Sequence, residues 1–112
     1  MLSPRTDLAT FAEIDMRVGT VLGASPNVGA RQPAYVLRID FGPLGVKTSS
    51  AQITEQYTPA DLVGMQVVAV VNFPPKTIAG VDSEVLVLAS VGEAGTVLLT
   101  PTQPVPNGSR IA

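Results

Sequence analysis

The stretch QVVAVVNFPPKTIAGVDSEVLVLAS, residues Gln66 to Ser90, decides the fold. It holds two apolar runs, Gln66–Asn72 (QVVAVVN) and Glu84–Ser90 (EVLVLAS), each of strand length and neither alternating with polar residues. Continuous apolar runs of this kind read as strands buried on both faces. Between them lies a link with Asn72, Phe73, Pro74, Pro75, Lys76 and Ser83. A tight hairpin uses two to five residues with Gly or Asn at the turn, and this link is about twice that length. Connections longer than the topology needs are where binding residues collect.

Outward from this stretch the chain alternates short strands with turn signals. Toward the N-terminus, SPRTDLATFAEID reads as a short helix with Thr6 as N-cap, Ala9 at N3 and Leu8, Phe11 and Ala12 at helical spacing. RVGTVLGA, Arg17–Ala24, reads as a strand whose Gly19 marks a bulge or bend. SPNVGARQP is turn chemistry. In AYVLRIDF, Ala34–Phe41, the residues Tyr35, Leu37, Ile39 and Phe41 share one apolar face. GPLG turns the chain into VKTSS, and SSAQITEQYTPADLVG predicts one or two short helices. The second of these has Thr58 as N-cap, Pro59 at N1, Asp61 in the first turn and Gly64 as terminator. VGEAGT reads as a hairpin turn into TVLLT, and the Pro-rich TQPVPNGSRIA closes the chain with an Asn107-Gly108 turn signal. The fold class is all-β: a small closed barrel with short helices and extended terminal segments, OB-like first and SH3-like as the alternative from pattern alone.

A length of 112 residues suits one domain spanning 1–112. The chain is 46% hydrophobic with three Phe, two Tyr and no Trp, so its core must come from Val, Leu, Ile and Ala. Only 14% of residues are charged, which leaves apolar surface for a partner or a second copy to cover. The net charge of −2 gives no global basic field to draw in nucleic acid. No N-terminal signal peptide and no membrane-spanning run are evident, so the expectation is a cytoplasmic protein that is not inserted in a membrane.

The chain contains neither His nor Cys. The usual neutral-pH general base, the usual thiol nucleophile and most transition-metal ligands are therefore missing together, and no metal or cofactor is expected. A Ser–Lys arrangement from Lys47, Ser49 and Ser50 is the one catalytic alternative, and it would need a desolvated lysine and an oxyanion hole. What remains is binding. Ser49, Ser50, Gln52, Asn72 and Ser83 fall at strand edges, where they either offer directional hydrogen bonds to a ligand or cap local structure. Phe73, Pro74 and Pro75 form either a rigid apolar lip or a plug at the barrel end, and Lys76 suits a carboxylate or a phosphate.

Four motifs in order, SSAQITEQY, NFPPKTIAG, DSEVLVLAS and QPVPNGSRI, resemble the CsaA family of export-related chaperones. That family sits within the wider tRNA-binding-domain family, which includes the C-terminal domains of some methionyl-tRNA synthetases. The resemblance covers Phe11 to Ile111. It implies an OB-fold barrel, a homodimer, binding of unfolded or presecretory polypeptide and a link to the SecA translocation motor, with tRNA binding as the alternative. In the tRNA-binding relatives the ligand surface includes polar residues matched by Ser49, Asn72 and Ser83, a basic residue matched by Lys76 and a methionine whose place Leu86 takes. Thr77 stands where a second basic residue is common. The ligand rim implied is Phe73 to Ser83, with apolar contacts from Phe73 and Ile78.

Overall fold

The structure, a computed structural model, describes residues 1–112. Helix α1 (Leu8–Ala12) leads into the long strand β1 (Met16–Pro26), which pairs with β2 (Tyr35–Asp40) on one side and with β4 (Gln66–Val70) on the other. Strand β3 (Val46–Ala51) extends the sheet beyond β2, helix α2 (Pro59–Leu62) bridges from β3 to β4, and β7 (Leu86–Val87) lies against β4. The sheet order is therefore β3-β2-β1-β4-β7, with every pairing antiparallel. Two hairpins project from it, β5 (Lys76–Ile78) with β6 (Val81–Ser83) and β8 (Ala89–Gly92) with β9 (Gly95–Leu98). This is the nearly closed five-stranded barrel of an OB-fold, as the sequence predicts. No helix is long and apolar enough to cross a membrane.

The alternation read in β2 sets the core. Tyr35, Leu37 and Ile39 point inward beside Val21, Phe41, Ile53, Leu62, Val67 and Ala69. The missing aromatic bulk is made up by close approach of backbones. Gly19 lies in β1 where a Cβ would stand 2.6 Å from Ile39 Cγ2 and 2.8 Å from the Phe41 ring. That glycine is a packing requirement and not the bulge expected there. The bulge falls between Val21 and Gly23, leaving Leu22 unpaired and 45% exposed, and it supplies the bend that curls β1 into the barrel.

Other expectations change on inspection. Asp7 caps α1 in place of Thr6, because its carboxylate accepts from both the N–H and the hydroxyl of Thr10, at 2.9 and 2.7 Å. Of the one or two helices read in SSAQITEQYTPADLVG only the second, α2, forms, and none starts at Ser50. Pairing with β2 carries β3 through Ala51, and Ala51 and Ile53 are buried, so tertiary contacts override the local helical pattern. EVLVLAS is not one buried strand, since it changes partner midway, from β4 at Leu86–Val87 to β9 at Ala89, and only Val85 of the run is buried. Thr58 caps α2 as read, and the structure adds a capping box in which Thr58 and Asp61 exchange backbone and side-chain bonds.

The tail is tied to the start of the barrel. Ser109 O accepts from Val18 N–H, Gly108 N–H donates to Val18 O, and Ile111 N–H donates to Met16 O, so the tail lines the part of β1 that β2 leaves free. Gly108 has φ +90° and its Cβ position is 2.7 Å from Phe41 O, so only glycine fits. Gln66 holds the tail farther up, accepting from Val105 N–H at 3.1 Å and donating to Val105 O at 2.7 Å.

Candidate ligand cleft

The long link is itself a tight hairpin. Lys76 pairs with Ser83 and Ile78 with Val81 across a two-residue turn at Ala79-Gly80, whose φ angles of +51° and +79° define the mirror-image turn that suits strand twist. Such turns favour Asn-Gly or Asp-Gly, so an alanine in the first position hid the turn from the sequence reading.

This hairpin lies over the end of β3 and encloses a cleft of about 280 Å³. Six of the nine predicted residues line it, Ser50, Phe73, Lys76, Ile78, Ser83 and Leu86, together with Pro74, Glu84 and Val85. Phe73 and Leu86 are 42% and 52% exposed, respectively. Gln52 lies in two neighbouring depressions, one beside Arg31, Lys76 and Ile78 and the other beside Leu86 and Val91; Ser50 lines all three. Ser49, 1% exposed, lines the second. Asn72 lies outside the cleft. Its Oδ1 accepts from Asp15 N–H at 2.9 Å and its Nδ2 donates to Glu13 O at 2.7 Å, which clamps the segment between α1 and β1.

Several polar residues in the cleft close the barrel. Three antiparallel steps from β3 to β4 and a fourth to β7 make β3 and β7 parallel, and between them runs a seam. One backbone bond crosses it, from Glu84 N–H to Thr48 O at 2.8 Å. Two side chains imitate the missing rungs: Glu84 Oε1 accepts from Thr48 N–H at 3.0 Å and Ser83 Oγ accepts from Ser50 N–H at 2.9 Å. Asn27, missed in the sequence because it sits among turn residues, is buried and donates to Ser50 Oγ and to Ile78 O, at 3.1 and 3.2 Å. It joins the turn after β1 to the seam and to the hairpin. Ser50 and Ser83 thus have structural partners, whereas Phe73, Lys76 and Leu86 are free to meet a ligand.

The cleft's electrostatics are nearly neutral, with Lys76 its one cation and Glu84 its one acid. Near Asn72, the Arg17 Nε donates to Asp15 Oδ1 at 2.6 Å and holds the Asp15 carboxyl below the ordinary carboxylate range. The pleat of β3 places Lys47 and Ser49 on one face and Ser50 on the other. No group of three or more carboxylates, the only such ligands this chain has, could hold a metal.

Residues 16–110 match the family described as "Putative tRNA binding domain". The chain belongs to that family. Among solved structures, it is similar to chaperone CsaA from Bacillus anthracis str. Ames, at 52% identity over 97% of this chain and 100% of that one, with a TM-score of 0.92. It is also similar to the CsaA chaperone protein of Picrophilus torridus, at 46% identity over 96% of this chain and 100% of that one, with a TM-score of 0.91. The tRNA-binding domain also matches a stretch of larger enzymes. The methionine-tRNA ligase of Flavobacterium johnsoniae is 31% identical over 96% of this chain and 16% of its own length, and that of Porphyromonas gingivalis is 35% identical over 90% and 15%. The chain thus spans about a sixth of those ligases, in the small tRNA-binding part.

Proposed function

We propose that the chain is a non-catalytic binding module of the tRNA-binding-domain family. It acts in the cytoplasm as a homodimeric, export-related chaperone that holds unfolded or presecretory polypeptide at the cleft and hands it toward the SecA motor. The observation that carries this reading is the cleft's lining: Phe73, Pro74, Ile78, Val85 and Leu86 supply apolar wall, and the charges of Lys76 and Glu84 offset each other. Clients that differ in sequence need apolar contact with few fixed polar demands. Likeness to two CsaA chaperones over nearly the whole chain supports it further. So does the exposed apolar surface at Leu8, Phe11, Val46, Val63 and Leu99, which a second copy would cover.

A second reading, tRNA binding, is favoured by the family and by Arg31 and Lys76 lining one depression together. One preparation decides between them, titrated with an unfolded peptide and with tRNA at low salt and at about 0.15 M. Under the chaperone reading, Phe73→Ala and Ile78→Ala each weaken peptide binding by about 1–2 kcal/mol. Lys76→Ala leaves peptide affinity unchanged, and peptide binding persists as salt rises. Under the tRNA reading, Lys76→Ala lowers tRNA affinity and flattens the salt dependence by about one unit of slope. Submicromolar tRNA affinity at about 0.15 M salt, without peptide binding, overturns the chaperone reading.

A further inference from the structure

The seam between β3 and β7 is completed only as far as Ser50. Thr48 has both its backbone groups bonded across it and Ser50 N–H is taken by Ser83 Oγ. Strand alternation turns the Ser50 carbonyl and the Gln52 N–H to the same side, where no bond within the chain reaches either. Beyond Ser50 the two parallel walls part. One runs from Ser49 to Ile53, the other from Leu86 to Ala89 and on to Val91, and between them lies a slot of about 430 Å³ lined mainly by aliphatic side chains. Ser49, 1% exposed, lines this slot, and no side-chain hydrogen bond within the chain uses its hydroxyl.

From this we infer, resting on the chaperone reading, that the slot, which adjoins the cleft at Ser50 and Leu86, takes a further segment of the same client as an added β-strand. An extended, apolar polypeptide segment continues the seam along the β3 edge, pairing its backbone with the Ser50 carbonyl and the Gln52 N–H. The chain's own Ser83 and Glu84 already occupy the first rungs of that ladder, so the occupant continues an interface the molecule has begun. Backbone pairing is blind to sequence, while alternate side chains enter the aliphatic slot above Ala51, Val87 and Ala89. Such recognition demands an unfolded client, since a folded one has no free strand to lend.

The test uses the full chain and a capped peptide of about eight residues alternating Val and Ser. Its affinity is compared with that of two analogues, one N-methylated at every Val and the other at every Ser. In a strand the two sets of N–H groups point to opposite sides, so only one set faces β3. Strand addition predicts that one analogue binds about tenfold more weakly and the other like the parent. It also predicts that hydrogen exchange at the Gln52 amide slows when the peptide is added. If the peptide binds but both analogues match it and the Gln52 amide exchanges as before, the inference fails and the chaperone reading stands. Equal weakening of both analogues, with no change at Gln52, also overturns it. If no peptide binds, the chaperone reading and this inference fall together. Gln52 protection that grows with protein concentration and needs no peptide assigns the edge to a second copy. Protection by a short oligouridylate and not by the peptide assigns it to RNA. Either result overturns the inference.

Discussion

At the scale of single residues, two positions depend on backbone geometry that the sequence states only ambiguously. Gly19 could serve a bulge or a close contact, and only the Ile39 and Phe41 side chains, some twenty residues on, decide for contact. Gly19→Ala is expected to destabilise by about 1–3 kcal/mol in chemical denaturation, because the new methyl group would have to displace fully buried neighbours. Ala79 is the opposite case, a residue with a side chain at φ +51° where glycine or asparagine is preferred. Ala79→Asn should add about 0.5–1 kcal/mol to the unfolding free energy, read as a higher denaturation midpoint with the slope unchanged. Polar residues were legible as strand-edge groups but not by partner. Asn72 and Ser83 bond to residues 57 and 33 positions away, distances over which no local pattern speaks.

At the scale of elements, what was legible is what local chemistry determines. The inward face of β2, the hairpin at Gly92–Gly95 and the caps of α2 all follow from neighbours in sequence. The split of EVLVLAS and the strand that runs through Ser50 in place of a first helix follow from pairing partners elsewhere, which periodicity does not name. The α2 cap also carries a pH dependence. The backbone N–H of Thr58, and then its side chain, hold the Asp61 carboxyl below the ordinary carboxylate range. A carboxylate depressed in the folded state stabilises fully above its unfolded pKa and loses that contribution as pH falls through the folded one. Asp61→Asn should therefore melt lower than the parent at neutral pH, and the gap should close as pH drops below about 4. Thermal melts at a series of pH values check this. A gap constant with pH would show that the cap acts without its charge. Thr58→Ala should cost about 1 kcal/mol at neutral pH by the same measurement.

At the scale of the whole molecule, the barrel was legible because strand count, turn spacing and an interposed helix suit few architectures. Its incomplete closure was not, since the seam is made by side chains standing in for backbone. The exposed apolar residues at the N-terminal helix, at Val46 and at Leu99 lead to the expectation of a dimer. Sedimentation equilibrium at micromolar concentration is expected to give twice the 11.6 kDa chain mass. A monomer there would leave the apolar surface for clients alone.

The tail's attachment to β1 has a mechanical side. Tail and strand run antiparallel, and Ile111 bonds to Met16 at the first residue of β1. A pull on Ala112 directed away from Met16 therefore loads one hydrogen bond at a time and peels the tail like a zip, while the strands of the barrel, joined by longer ladders, stay intact. In an optical trap the chain should yield in two steps: first a small extension at low force that takes up the tail as far as the Gln66 clamp, and then the rupture of the barrel at a higher force.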